Sequence, residues 1–144
     1  MKTCLLIIAM VLHLAGCDYI PVSSGALSGT EAALPADWSA VAATNIIQLE
    51  TNPAEPYSVN LWVIGMDGEL FVHAGTNRAT WIEHIEHNPA VRLGVDGNIY
   101  RLRAARETDQ ATFDRFAELW NSKYGNYPRN MNASEAYLIR LRQP

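Results

Sequence analysis

Residues 57–74 read YSVNLWVIGMDGELFVHA, two β-prone runs on either side of Met66-Asp67-Gly68. β-Branched and aromatic residues fill residues 57–64 (YSVNLWVI) and 69–74 (ELFVHA), and an Asp-Gly pair tolerates the positive φ that a tight hairpin turn demands. The stretch predicts an antiparallel hairpin, and with it a sheet built from local pairings. The same signal recurs at Asp96-Gly97 between residues 91–95 and 99–105, which predicts a second hairpin.

Working outward, residues 45–51 (NIIQLET) read as a further strand, closed by the turn cluster Asn52-Pro53-Ala54-Glu55-Pro56. Pro35-Ala36-Asp37-Trp38 opens a short helix, with Trp38, Val41 and Ala42 at helical spacing. Between the hairpins, residues 78–87 place Trp81, Ile82 and Ile85 on one side and Glu83, His84, Glu86 and His87 mostly on the other. This predicts an amphipathic helix stopped by Asn88-Pro89. Thr108 or Asp109 caps a last helix, in which Phe113, Phe116, Ala117, Trp120 and Tyr124 form the best helical stripe in the chain. Residues 125–133 read as a loop and residues 136–141 (AYLIRL) as a final strand. Antiparallel hairpins dominate this order, so the expected class is α+β, mainly β: a barrel or curled sheet with helices at its edges.

The N-terminus is of another kind. Lys2 precedes an apolar run over residues 4–14 broken only by His13, followed by Leu14-Ala15-Gly16-Cys17. Spanning the hydrocarbon core takes about 20 apolar residues, and this run is roughly half that, so it reads as a processed export signal. Leu14-Ala15-Gly16-Cys17 resembles the lipobox of bacterial lipoproteins. The resemblance implies removal of residues 1–16, acylation of Cys17, and stable attachment to the bilayer through two or three acyl chains. Asp18, directly after Cys17, resembles the inner-membrane retention signal of many Gram-negative bacteria, implying the periplasmic face of the inner membrane in a host that follows that rule. Residues 17–34, rich in Ser, Gly and Ala, read as a flexible tether, and residues 35–144 as the folded domain.

Removing 16 of 144 residues leaves a chain of about 128, the size of one domain with a real core. Lys2 leaves with the signal, so ten Lys and Arg face fifteen Asp and Glu, a formal charge of about −5. That balance disfavours a nucleic-acid partner. Of the two Cys, Cys4 is lost with the signal and Cys17 is consumed by lipid. No disulfide, Cys nucleophile or Cys metal ligand is therefore expected in the mature chain.

From Pro35 onward the order of elements resembles the split β-barrel superfamily of pyridoxamine-5'-phosphate-oxidase-like flavin proteins and deazaflavin-dependent nitroreductases. The residues that carry the resemblance are Leu49-Glu50-Thr51, residues 60–73 (NLWVIGMDGELFVH), residues 78–93 (RATWIEHIEHNPAVRL), Lys123-Tyr124-Gly125 and residues 137–141 (YLIRL). It implies FMN or a deazaflavin lying against the second and third strands, with its phosphate at the start of the following helix. The corresponding residues are Ser58, Asn60 and Trp62 on the strand, Gly75, Thr76, Asn77 and Arg78 at the helix start, and Trp81 one turn in. Helix N-terminal N–H groups beside an Arg suit an anion. Family members commonly place Lys beside that Arg, whereas Arg78 is followed by Ala79.

No catalytic side chain is required, because hydride transfer belongs to the cofactor. A homodimer sharing the cofactor between protomers, and a small-molecule substrate of unknown identity, go with this reading. The alternative is a cofactor-free barrel acting as a binding or envelope-structural module, with Thr76 or Asn77 capping the helix and Arg78 solvated. His73, His84 and His87 do not gather the three or four converging ligands a zinc site needs, so no metal is expected.

Overall fold

The computed structural model describes residues 25–75 and 78–144. Residues 1–24, on which the expected export signal and Cys17 fall, and Thr76 and Asn77 lie outside the described residues. The elements are β1 (Thr30–Glu31), α1 (Ser39–Ala42), β2 (Ile46–Thr51), β3 (Tyr57–Trp62), β4 (Ile64–Met66), β5 (Glu69–His73), α2 (Thr80–His87), β6 (Ala90–Val95), β7 (Asn98–Glu107), α3 (Gln110–Tyr124) and β8 (Leu138–Arg142).

Both hairpins form, β4–β5 and β6–β7, with Asp67 and Gly68 at φ 55° and 77° and Asp96 and Gly97 at 49° and 75°. Positive φ at both central residues makes the turn twist match that of the strands. The sheet runs β3-β2-β6-β7-β8-β5-β4, antiparallel throughout, with β1 added in parallel to β7. β3 and β4 stand at the two ends of this path yet are consecutive in the chain. One continuous run thus bridges the two sheet edges and closes a split barrel.

That bridge corrects the reading of residues 57–64 as one strand. Val63 belongs to neither β3 nor β4, and its backbone groups are held by side chains of α3 instead. The Tyr124 hydroxyl accepts from Val63 N–H at 3.0 Å and lies 2.9 Å from Val63 O and 2.8 Å from Asn45 O, positioned to donate to them. Lys123 Nζ donates to the carbonyls of Val63 (2.8 Å), Ala42 (2.7 Å) and Thr44 (2.5 Å). Val63 is fully buried, so its backbone groups would otherwise lack partners. The split in the barrel is thus pinned by the last two residues of a helix.

The barrel interior holds Ile47, Leu49, Val63, Leu70, Val72, Val91, Leu93, Leu102, Ile139 and Leu141, joined by Trp38 just before α1, Val41 from α1 and Trp81, Ile82 and Ile85 from α2. A second core lies between α3 and the outer face of β4, β5 and β8, where Phe113, Phe116, Ala117 and Trp120 meet Ile64, Met66, Phe71 and Leu138. The predicted stripe on α3 is the one that packs. Asp109 caps its start through Thr112 N–H (2.8 Å), and Gly125, at φ 78°, ends it.

The reading of residues 17–34 as a flexible tether is corrected over residues 25–34. Thr30 N–H donates to Gly97 O and Ala32 N–H to Ile99 O, both at 2.9 Å, and Leu34 packs on the interior core. β7 extends beyond β8 at Asn98–Ile99, and the backbone groups left open there accept a strand from outside the predicted domain.

Candidate functional site

Alternation along β3 sends Tyr57, Val59 and Leu61 toward the interior core and Ser58, Asn60 and Trp62 to the outer face. The three strand residues proposed from sequence therefore share a face, but their surroundings differ. Ser58 is 1% exposed, and its hydroxyl donates to Gly25 O at 2.8 Å. Asn60 is half-buried opposite Gln48. Trp62 stacks on Tyr124, with ring centroids 4.6 Å apart and planes at 15°, and leans on Trp120 at 5.2 Å.

At the corner between β5 and α2, Gly75 takes φ 67° with open space where a side chain would stand, and its carbonyl accepts from Tyr137 N–H. Among the described residues no side chain caps α2, which starts after Ala79. Arg78 is half exposed there, paired with Glu86 and, at 3.6 Å, with Glu83. Both partners lie on α2, which begins two residues after Arg78, so the corner carries one guanidinium against two carboxylates. Trp81 is 4% exposed inside the barrel core rather than lining an open wall. Thr76 and Asn77 lie outside the described residues.

For a flavin phosphate, the N–H groups at the α2 start and the space at Gly75 fit, and Arg78 fits once it leaves Glu86 and Glu83. Asn60 and the half-buried Trp62 suit a flat heteroaromatic ring, which takes hydrogen bonds at its rim and apolar contact on its face. Ser58 reaches a ligand only after parting from Gly25.

Sequence reasoning missed the ion-pair network beside this face. Glu50, 4% exposed, receives Arg92 in a fork, Nε to Oε1 and Nη2 to Oε2, each 2.7 Å, and Leu27 N–H also at 2.7 Å. Burial raises the Glu50 pKa, but these donors outweigh it and hold the carboxyl below its ordinary range. Glu31 bridges Arg92 and Arg101, each at 3.0 Å. The register that sets Glu50 opposite Arg92 and Arg92 opposite Arg101 joins β2, β6 and β7, which no local pattern announces. An open cleft of about 480 Å³ adjoins the network, lined by Pro53, Pro56, Arg92, Arg101, Leu102 and Arg103.

The second missed feature is His73. It faces α3, with Phe113, Phe116 and Trp120 at 5.7–6.0 Å between ring centroids, and its Nε2 is buried without a partner. Burial pushes its pKa down to about 4. The other strand-facing His, His84, instead meets Thr51 Oγ1 at 2.9 Å and the edge of Tyr57. Among the described residues, no three His, Cys, Asp or Glu side chains converge as a metal site would require.

No family model matches this chain, and no curated protein does. Solved structures do. A NimC/NimA family protein from Clostridium acetobutylicum superposes with a TM-score of 0.53 at 18% identity, over 67% of this chain and 73% of that one. An F420 reductase gives 0.52 at 19%, over 78% and 96%. A FAD-binding protein from Mesorhizobium loti gives 0.53 at 18%, over 72% and 84%. At these identities the likeness carries the fold alone, an antiparallel split β-barrel with helices at its edges.

Proposed function

We propose that the chain is a lipid-anchored protein whose split barrel binds a flavin-type cofactor, FMN or a deazaflavin, and performs redox chemistry on a small molecule outside the cytoplasm. The observation that carries the reading is the shared fold with an F420 reductase and a FAD-binding protein. When bound, the cofactor supplies hydride transfer. The chain's part is to orient it: Asn60 and Trp62 against the ring, with Gly75, Arg78 and the first N–H groups of α2 at the phosphate. Thr76 and Asn77 belong to the same proposed set from sequence. Trp81 acts from behind, filling the core beneath the helix start. A homodimer with the cofactor between protomers is part of the proposal, as is acylation of Cys17.

A cofactor-free barrel, acting as a binding or envelope-structural module, is the second reading. The pairing of Arg78 with Glu86 and Glu83 favours it, because the one cation at the corner is already neutralised.

The visible spectrum of the purified chain, with and without added FMN or deazaflavin, separates the two. Bound cofactor and an affinity weakened about tenfold by Arg78→Ala, the loss of one charge-assisted contact, are expected from the first reading. A featureless spectrum with no binding up to high micromolar would leave only the second. Light scattering with and without cofactor tests the dimer. Incorporation of labelled palmitate that disappears in Cys17→Ser tests the anchor.

A further inference from the structure

Residues 25–32 run along the outer face of the sheet from β3 to β7. Gly25 O sits on the Ser58 hydroxyl of β3, and Leu27 N–H on the Glu50 carboxylate of β2. The Leu27 side chain lies over Gly94 of β6, its Cδ1 only 3.1 Å from where a Cβ would stand. Gly29 then passes so close to Gly97 O that any side chain would collide with it, and Thr30–Glu31 pair with the free edge of β7. Glu31 clips this end to Arg92 and Arg101. The face is polar by alternation, carrying Gln48, Glu50, Ser58 and Asn60. Even so, Glu50 and Ser58 are buried as deeply as core residues, with Leu27 N–H and Gly25 O of this segment hydrogen-bonded to them.

The attachment is shallow. Among the described residues, and apart from the Leu27 side chain, it consists of hydrogen bonds at single backbone groups and an exposed carboxylate between two arginines. Contacts of this kind open locally, without unfolding of the parts they cover. One of the residues this segment touches, Ser58, belongs to the proposed cofactor face, with Asn60 two positions along the same strand.

We infer that residues 25–32 form a removable cover whose seating competes with ligand binding on the β3 face, so that occupancy of that face requires the cover to lift. The inference rests on the proposed cofactor reading and adds its regulation. A ligand whose binding-competent state is only partly populated binds more weakly by that fraction, and loosening the cover relieves the deficit.

The test uses the full chain in detergent, with FMN as the first probe and deazaflavin as the second. Amide exchange at Thr30 and Ala32 should quicken as cofactor saturates. Glu31→Gln, which breaks the clip, and Leu27→Ala, which changes no charge, should each tighten binding roughly threefold, as a shift toward the open state requires. Binding that leaves Thr30 and Ala32 exchange unchanged, with the same Kd in both variants, overturns the cover and leaves the cofactor reading standing. No binding of either probe by the wild type or by the Glu31→Gln, Leu27→Ala double variant overturns both.

Discussion

Over β4, β5 and β8 the outer face of the sheet is closed by α3, with Phe113, Phe116 and Trp120 pressed on Phe71, Met66 and Ile64. Over β3, β2 and β6 it is partly covered by residues 25–32, with one leucine and a chain of polar contacts, and Gln48 stays exposed. The two covers bury neighbouring faces of one barrel by unlike means. Apolar burial gains about 25 cal/mol per Å² and is lost only when the whole surface returns to water. A polar clip exchanges one set of hydrogen bonds for another and gains little, so it opens at small expense. The helix is therefore part of what makes the barrel fold, while the segment regulates access to one of its faces.

The comparison breaks most visibly at Phe116, fully buried in the helical cover. Phe116→Ala should lower stability by about 3–5 kcal/mol in denaturant melts. A loss under 1 kcal/mol would mean that α3 is no more firmly seated than residues 25–32.

The next largest effect is a pH dependence. His73 is held neutral among aromatic rings, with its pKa near 4 against 6.5 when unfolded. The unfolded state takes up the proton first, so stability is complete above pH 6.5 and declines as pH falls toward 4, by up to about 3 kcal/mol. His73→Phe should flatten the melting profile across that window. A variant that keeps the same slope would assign the acid sensitivity to another group.

Tyr124→Phe removes the hydroxyl that serves Val63 at the split and should destabilise by about 1–3 kcal/mol, the range for leaving a buried backbone donor unsatisfied. Smallest of all, Glu31→Gln should leave the melting temperature unchanged within error while accelerating exchange at Thr30 and Ala32. A large fall in melting temperature would show the polar cover to be structural after all.

Much of the fold is legible locally. The two Asp-Gly turns, the stripe on α3 with its Asp109 cap, and the Asn88-Pro89 stop all act through neighbours within a few residues, and each forms as its pattern predicts. The break at Val63 is not legible, because Lys123 and Tyr124 that satisfy it stand 60 and 61 positions away. The seating of residues 25–32 escapes for the same reason: a Ser-, Gly- and Ala-rich run has no periodicity, and its partners are Glu50, Ser58, Arg92 and Arg101 on four different strands. Of the candidate site, the shared face of Ser58, Asn60 and Trp62 follows from alternation alone. The pairing of Arg78 and the depth of Trp81 depend on how α2 docks, which the sequence pattern does not specify.

Native-state amide exchange across low denaturant concentrations bears most directly on the difference between the two covers. Thr30 and Ala32 should exchange through a local opening that does not depend on denaturant, roughly a hundredfold faster than the slowest amides of β5 and β8, which await global unfolding. Equal protection at all these sites, with the same denaturant slope, would contradict the account: residues 25–32 would then be as integral to the barrel as the helix opposite them.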